Sequence, residues 1–194
     1  QKFFTKQGLD IQLEQKVTGA EVDESAGRVT VTYEDRDSGE EHTAEADKVL
    51  VSVGRVPYTE GLGLENIGLE TDERGFIDVD DNYETAVDGV YAIGDVVGDP
   101  LLAHKAEEEG VVCVERMNGI ASHINYDAIP GVVYTHPEIA AVGKLESDLE
   151  EAGVDYNVGQ FNFRANGRAR ALRETDGVAK VLTDAETDKI LGAQ

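Results

Sequence analysis

The sequence predicts a mixed protein, α/β over about its first 120 residues and α+β over the remainder. Three observations predict this fold class. Short apolar, β-branched runs alternate with turn residues up to residue 100. One long stretch with helical spacing of small and apolar residues covers 101–117. From residue 131 onward, strand-like and helix-like segments alternate at short intervals, so we place a domain boundary near residues 120–130.

The first fifty or so residues are predicted to hold a helix end followed by β-structure. Residues 1–7 have the pattern of a helix end that Gly8 closes. Two β-rich runs, 11–23 and 28–35, flank the turn sequence ESAG, which is a hairpin signal. The run KVLVSVG at 48–54 is apolar without alternation, which predicts a strand buried on both faces.

The middle of the chain is predicted to pass from loop to strand to helix. Residues 55–75 are rich in loop signals, and GFIDVD (75–80) and GVYAIGD (89–95) are typical of short strands. Helical spacing then begins near Leu101, and the dipeptide Asn118-Gly119 supplies the stop signal. The residues with this spacing are Ala103, Ala106, Gly110, Val114 and Met117.

The last third is predicted to be a compact strand and helix domain. Two strands should flank the His136-Pro137 bend, a candidate cis peptide because X–Pro bonds cost only about 0.5–1 kcal/mol to isomerise. A short helix is expected at 147–153, a strand at 156–163 and a strand–turn–strand unit at 177–193. The basic segment RANGRARAL at 164–172 is expected to form ion pairs with surrounding carboxylates, within the chain or across a subunit interface.

The charge of the chain excludes some partners. It has 40 Asp and Glu against 17 Lys and Arg, a net charge of −23, with 24 of the acids in residues 1–100 and 16 in 101–194. Nucleic acid is a poor partner because binding to phosphate needs cations. An acidic coat spread over the whole chain and poor in lysine resembles proteins of salt-loving organisms, where salt screens the self-repulsion. An ordinary acidic enzyme is the alternative.

No segment has the pattern of a membrane-spanning helix or of an export signal. No apolar run reaches the roughly 20 residues of a membrane span, and neither end carries a targeting segment, so we expect a cytoplasmic protein. The single cysteine, Cys113, excludes an internal disulfide and a CxxC pair. It is expected on the apolar face of the helix as a small hydrophobic residue.

The stretch GVYAIGDVVGDPLLAHKAEEEG at 89–110 is the strongest candidate site. A strand that ends at Gly94 lets a ligand approach the backbone, and Asp95 then lies where α/β sheets bind ligands. An ionised Asp only accepts hydrogen bonds, which suits polyol hydroxyls. Pro100 is typical of a helix start, so residues 101–104 should present unpaired N–H groups to negative charge. The alternative is that Asp95 only caps a turn.

Several segments together resemble one family, the pyridine nucleotide–disulfide oxidoreductases. YAIGDVV followed by LLAHKAEEEG is similar to the family's second flavin-binding segment, and the version with LAHKA is similar to its dihydrolipoamide dehydrogenase branch. Other segments resemble the same family in the same order along the chain. They are KVTGA (16–20), VSVGRVPYTEGLGLE (51–65), INYDAIPGVVYTHPEIAAVGK (124–144) and FNFRANGRARA (161–171).

The resemblance implies a role for each candidate residue. Asp95 matches the Asp that hydrogen-bonds the ribitol of FAD. The helix-start residues that match those beside the flavin's pyrimidine edge are Leu101, Leu102, Ala103 and His104. Val17 and Gly54 match contacts to NAD, although Val17 alone would be read as an ordinary strand residue.

The resemblance also implies an organisation into parts of Rossmann-like FAD- and NAD(P)-binding domains followed by an α+β interface domain. Residues 1–53 match the last part of the NAD-binding domain, 54–124 the second FAD-binding segment, and 125–194 the first part of the interface (dimerisation) domain. Some family parts are missing: the CxxxxC redox pair, either GxGxxG loop, and the C-terminal His–Glu pair. The glycines of GLGLENIG (61–68) do not supply the loop, because the third comes two residues late.

The function implied is therefore that of an interior fragment of an enzyme that oxidises dihydrolipoamide with NAD, through FAD and a disulfide outside this chain. The fragment is expected to be inactive alone, since no catalytic residue of the family falls within it. Its parent should be a homodimer that serves the lipoyl proteins of 2-oxoacid dehydrogenase or glycine-cleavage complexes, of haloarchaeal source. The alternatives are a glutathione or mercuric reductase type, or a non-catalytic acidic interaction module if the chain is complete.

Overall fold

The computed structural model describes residues 1–194 and separates into two compact units, residues 1–54 and residues 55–194. Its secondary structure mixes short helices with two antiparallel sheets, as the sequence predicts. None of the helices combines the length and the apolar character that crossing a membrane requires.

The first unit is a short helix followed by a three-stranded antiparallel sheet in the order β1-β2-β3. Its elements are α1 Lys2–Lys6, β1 Gln15–Asp23, β2 Arg28–Asp35 and β3 Glu41–Ala46. The predicted helix end and hairpin are confirmed. Gly8 follows α1 with φ +94, a left-handed conformation that favours glycine.

Both hairpins of this sheet use the same turn chemistry. In the first turn, the Asp23 carboxylate accepts hydrogen bonds from the backbone N–H of Ser25 and of Ala26, at 2.9 and 3.0 Å. In the second turn, Asp35 accepts from the backbone N–H of Asp37 and of Ser38, at 3.0 and 2.8 Å. Because the carboxylates pair with turn N–H groups that no strand reaches, the sequence fixes where each strand ends.

The strand predicted at 48–54 is absent, and that prediction is wrong. These residues make no strand, and Leu50 and Val53 are 89 and 91% exposed. A continuous apolar run indicates a central strand only where neighbouring strands pair with it on both sides. The strands of this unit pair only with one another, in an antiparallel meander, so the run finds no partner there.

The second unit holds the longest helix and a five-stranded antiparallel sheet in the order β4-β5-β8-β7-β6. Its helices are α2 Ala103–Met117, α3 Glu146–Ala152 and α4 Gly167–Leu172. Its strands are β4 Gly131–Val133, β5 Ile139–Gly143, β6 Tyr156–Asn162, β7 Val178–Asp184 and β8 Ile190–Ala193. The predicted strands, the short helix and the cis His136-Pro137 bond are confirmed.

The two strands predicted at 75–80 and 89–95 are not formed, so that prediction is wrong. One isolated bridge joins Glu84 to Tyr91. The reason lies at Asp80, whose carboxylate accepts the backbone N–H of Asn82 and of Glu84, at 2.8 and 2.9 Å. That turn consumes the donors that a longer ladder would need. Its hydrogen bonds also lower the pKa of Asp80, that from Glu84 most of all.

Helix α2 is confirmed, including its end, where Asn118 is followed by Gly119 at φ +75. Its buried face includes Cys113, as expected, but not all of the residues whose spacing indicates the helix. Val114 and Met117 are 56 and 49% exposed, while the buried residues are Lys105, Glu109, Val112 and Cys113. Cys113 packs in a small core with Tyr83 and Val112, as expected of a hydrophobic thiol.

The basic segment 164–172 forms a single turn of 3-10 helix and then α4, where the Asn166 side chain accepts the N–H of Ala169 at 3.0 Å. The ion pairs expected for its arginines are not found within the chain. The three arginines are exposed to solvent, namely Arg164, Arg168 and Arg170. Pairing across a subunit interface stays a prediction.

Candidate functional site

The candidate residues of the second unit meet at one place, which we call the Gly94 corner: residues 94–98 and the first turn of α2. Gly94 begins a single 3-10 turn, Gly94–Val96. The predicted helix start at Pro100 is displaced, because α2 begins at Ala103 and Leu102 is extended, with φ −129 and ψ 134. The unpaired N–H groups of the helix therefore belong to residues 103–105, while the N–H of Leu102 donates to the Pro100 carbonyl oxygen at 2.9 Å.

Gly94 serves helix packing, which corrects the expectation that its missing side chain leaves room for a ligand. A Cβ at this position would lie 3.1 Å from the Cβ of Ala106, so α2 already occupies that space. The backbone of Gly94 has φ +78, which strains any L side chain. Both observations indicate that glycine is required for the turn to lie against the helix.

Two charged residues of α2 bind the backbone of this turn. Lys105 and Glu109 form an ion pair with a distance of 3.1 Å, and their side chains are 1 and 2% exposed. The Lys105 ammonium also donates to the carbonyl oxygens of Gly94 and of Gly98, at 3.1 and 2.9 Å. Two of the three ammonium donors are thus hydrogen-bonded to carbonyl oxygens, and the Glu109 carboxylate balances the charge.

The Glu109 carboxylate is equally well paired. One oxygen, Oε2, accepts the backbone N–H of Gly94 at 2.7 Å, and the other, Oε1, accepts the hydroxyl of Tyr126 at 2.8 Å. The hydroxyl of Tyr126 lies 3.1 Å from that of Tyr83. Burial, together with the hydrogen bonds to Tyr83 and Glu109, raises the pKa of Tyr126 well above its ordinary value of 10. The hydroxyl therefore stays protonated and keeps donating.

Asp95 projects from this turn with its carboxylate largely unused. Its side chain is 37% exposed, and its partner is the Arg55 guanidinium, with Nη2 at 3.4 Å from Oδ2. No backbone N–H of the turn donates to it, so the geometry does not support the alternative that Asp95 caps a turn. A half-exposed carboxylate with one long contact can accept further hydrogen bonds from hydroxyl groups.

The amino end of α2, beside Asp95 in the same corner, is also unpaired. Leu102 makes no side-chain cap, and no acidic residue lies in the first turn. Since the first intrahelical bond runs from Ala106 N–H to the Leu102 carbonyl, the N–H groups of residues 103–105 have no backbone acceptor. His104 is fixed by its Nε2, 2.9 Å from the Pro130 carbonyl oxygen. The corner thus presents an acceptor, Asp95, and a set of donors.

The two remaining candidates lie in the first unit. Val17 is in the middle of β1, opposite Tyr33 of β2, and is 66% exposed. Gly54 is the last residue of that unit, exposed, with φ +116 and open space where a side chain would be. Its backbone is therefore accessible to a ligand.

Sequence reasoning missed the four residues that hold the corner. Lys105 and Glu109 were indistinguishable from surface charges at i and i+4, and charged residues are almost never fully buried unless they are paired. One signal of their burial was available in the sequence. Positions 105, 109 and 112 lie on the same helix face as Cys113, which was expected to be apolar. Tyr83 and Tyr126 lie too far away in sequence for any local pattern to place them there.

Comparison with known proteins places both parts of the chain. Residues 1–110 match the family model of pyridine nucleotide-disulphide oxidoreductase, and residues 129–194 match the dimerisation domain of the same family. Dihydrolipoyl dehydrogenase 2 of Arabidopsis thaliana is 54% identical over 192 residues, and dihydrolipoyl dehydrogenase of Pisum sativum is 52% identical. The match covers 99% of this chain and 38% of each relative, so the chain spans less than two-fifths of their length.

The structure gives the same result. The HOCl-induced flavoprotein disulfide reductase RclA of Escherichia coli superposes with a TM-score of 0.85 and 29% identity, over 99% of this chain and 43% of that one. The matched family segments occur in one order, cover both units, and include the Gly94 corner. On this combined ground of sequence and fold, the chain belongs to the pyridine nucleotide-disulphide oxidoreductase family.

Proposed function

We propose that this chain is part of a FAD- and NAD-dependent dihydrolipoyl dehydrogenase, which oxidises dihydrolipoamide to lipoamide and reduces NAD to NADH. The observation that carries the proposal is the Gly94 corner, where the turn that bears Asp95 packs against the first turn of α2 and that helix has an uncapped amino end. Identity above 50% to proteins named dihydrolipoyl dehydrogenase supports this activity over that of other disulfide reductases.

The residues of the corner fit the two chemically different parts of a flavin cofactor. Asp95 would accept hydrogen bonds from the ribityl hydroxyls, for which a carboxylate free of turn contacts is suited. The N–H groups of Ala103 and His104, with the partial positive charge of a 15-residue helix behind them, would stabilise negative charge at the pyrimidine edge. Leu101 and Leu102 would pack along that edge. Bound FAD would supply the redox centre that links disulfide chemistry to NAD.

For NAD we propose Val17 and Gly54. Gly54 supports this by its exposed backbone and its lack of a side chain, which permit close approach of a ligand. Val17 is an exposed apolar residue on β1 and suits contact with an uncharged ring. We keep the division into an NAD-binding part (1–53), a FAD-binding segment (54–124) and an interface part (125–194) as part of the proposal.

The partners and location follow from the same proposal. The match of residues 129–194 to a dimerisation domain supports a homodimer. Lipoyl proteins of a 2-oxoacid dehydrogenase or glycine-cleavage complex would supply the dihydrolipoamide, and the cytoplasm is the location we propose. Light scattering of the purified protein tests the dimer, and a monomer at micromolar concentration would contradict it.

A halophilic, haloarchaeal source is supported by where the acids lie. Of the 40 acidic residues, Glu109 is the only one that is buried, so the negative charge is carried by the surface. Salt should screen this repulsion, because the Debye length falls from about 10 Å at 0.1 M to about 3 Å at 1 M. The melting temperature should therefore rise with KCl concentration. A melting temperature that stays constant or falls would contradict the proposal.

The decisive experiment for function compares Asp95→Asn with Asp88→Asn in the full-length protein. Asp95→Asn keeps an acceptor oxygen but removes its charge, so a hydrogen bond worth about 1.5–3 kcal/mol becomes a neutral one worth about 0.5–1.5 kcal/mol. The variant should therefore retain less flavin than the wild type after dialysis. Asp88 is an exposed carboxylate outside the Gly94 corner, and its variant should keep its flavin. Wild-type protein that binds no flavin, or that reduces NAD with no dihydrolipoamide dependence, would refute the proposed function. Activity with glutathione disulfide instead would favour the other reductase type.

A further inference from the structure

A contribution to folding stability does not by itself explain why Lys105 and Glu109 are buried. Two charges moved out of water carry a desolvation penalty that their mutual attraction does little more than offset. A helix of this size would be held equally well by two apolar residues at these positions. The pair is instead joined to both polar groups of one residue, because Glu109 accepts the N–H of Gly94 and Lys105 donates to its carbonyl oxygen.

We propose that Lys105 and Glu109 are positioning residues, which fix the Asp95 carboxylate at a set distance from the uncapped amino end of α2. This inference rests on the proposed flavin site and adds the residues that set its geometry. Asp95 directly follows the residue that is held at both of its polar groups. Lys105 also donates to the carbonyl of Gly98 at 2.9 Å, so the turn is held at both ends.

There is a specific competing arrangement that this pair prevents. Asp is one of the best residues for capping a helix, and its carboxylate is attracted to the partial positive charge of a helix amino end. If the turn were free to rotate, Asp95 would gain by accepting N–H groups of α2. In that contact the Asp95 carboxylate and the N–H groups of α2 would bond to each other, so neither could bind a ligand. With the turn held by Lys105 and Glu109, both sets stay available to a ligand.

The hydroxyl of Tyr126 extends this arrangement. It donates at 2.8 Å to Oε1 of Glu109, the oxygen that forms the ion pair with Lys105, and is itself 3.1 Å from the Tyr83 hydroxyl. It therefore fixes the orientation of the carboxylate plane without adding charge. Tyr126→Phe would therefore remove one hydrogen bond to Glu109 without changing any charge, because the ion pair with Lys105 stays in place.

The test is a double-mutant cycle on flavin affinity in the full-length protein, measured by fluorescence titration of the apoprotein with FAD. Glu109→Gln keeps the size of the side chain but breaks the ion pair, and should weaken FAD binding about tenfold, the size of one charge-assisted hydrogen bond. In the Asp95→Asn background the same change should have almost no further effect, because there is no carboxylate left to position. The matched control is Glu108→Gln, one residue earlier and exposed, which should leave FAD affinity unchanged.

A spectroscopic measurement separates positioning from a general loss of structure. The visible circular dichroism of the bound flavin should change in Glu109→Gln and stay as in the wild type in Glu108→Gln. Effects of Glu109→Gln and Asp95→Asn that simply add would overturn the inference. So would unchanged FAD affinity in Glu109→Gln.

Two further outcomes are distinguishable. If Glu109→Gln does not fold, Tyr126→Phe takes its place, with an expected loss of about threefold in FAD affinity that disappears in the Asp95→Asn background. Additivity in that cycle would overturn the inference equally. If the wild-type protein binds no FAD, the proposed function fails, and the melting temperatures of the variants then report only the structural role of the pair.

Discussion

Lys105 and Glu109 lie one turn apart on α2, form an ion pair at 3.1 Å, and bind the carbonyl oxygen and the N–H of the same residue, Gly94. They are the only fully buried charges in the chain. Two donors of the ammonium and both oxygens of the carboxylate are hydrogen-bonded, and the two charges form an ion pair. This pairing is what makes such burial tolerable, since an unpaired buried charge is strongly destabilising.

Removing one partner of this pair should therefore cost more than removing any surface charge. Lys105→Ala leaves Glu109 buried beside two unsatisfied carbonyls, and we expect a loss of about 3–5 kcal/mol in the free energy of unfolding. The matched control is Lys144→Ala, which breaks an exposed pair with Asp127 and should cost less than about 1 kcal/mol. Urea unfolding followed by circular dichroism measures both. A Lys105→Ala loss no larger than that of the control would contradict the burial argument.

Much of the fold could be predicted because its signals are local. Turn carboxylates followed by glycine mark the hairpins, and helical spacing with Asn118-Gly119 bounds α2. The error at 48–54 has a different origin: an apolar run identifies a strand, but the strand exists only if partners are present to pair with it. Local sequence carries no information about those partners.

Of the residues in the proposed site, the sequence predicted only those that we propose contact the ligand. Asp95 and the residues from Leu101 to His104 could be chosen because they resemble a known segment and have the right chemistry. The residues that hold them could not, because a hydropathy pattern assigns Lys105 and Glu109 to the surface. Their burial depends on backbone carbonyls and a distant tyrosine, Tyr126, which only the folded chain brings near.

Gly192 of β8 should be intolerant of any side chain. A Cβ there would overlap the carbonyl oxygen of Lys144, a backbone atom that cannot rotate away. Gly192→Ala should therefore destabilise the protein by about 1–3 kcal/mol through overpacking. Gly159→Ala, in β6 of the same sheet, is the control, because its nearest neighbour would be the Val181 carbonyl oxygen at 3.9 Å. Comparable melting temperatures for the two variants would show that β5 and β8 can separate at no cost.

Asp35 should make stability depend on pH in the acid range. Hydrogen bonds from the backbone N–H and the hydroxyl of Ser38, and then from Gln15, lower its pKa below the ordinary value of 3.8. A lowered folded pKa means that the ionised form is favoured in the folded state. The stabilisation is thus present above pH 3.8 and is lost as the pH falls through the folded pKa.

The check on this sign uses the difference between variant and wild type. Asp35→Asn should melt below the wild type at about pH 7, and the two melting temperatures should converge as the pH falls through the lowered pKa of Asp35 and its carboxyl becomes protonated. Asp37→Asn, in the same turn, alters a carboxylate that accepts none of these bonds and should differ little at either pH. A gap for Asp35→Asn that is independent of pH would show that its charge is not what stabilises the turn.

Cys113 should behave as a protected thiol in the folded protein. It is 4% exposed in the core formed with Tyr83 and Val112, and burial raises the pKa of the thiol. Both effects suppress reaction with a thiol reagent, because the thiolate is the nucleophile and must be reached. We expect native labelling at least about 100-fold slower than in urea, limited by local opening of α2.

A matched variant tests whether burial is the cause. Moving the thiol one position along α2, in Cys113→Ala with Val114→Cys, places it where the native side chain is 56% exposed. This thiol should label in the folded state almost as fast as in urea. Rapid labelling of Cys113 in the native wild type would mean that the core around Tyr83 opens far more readily than its packing indicates.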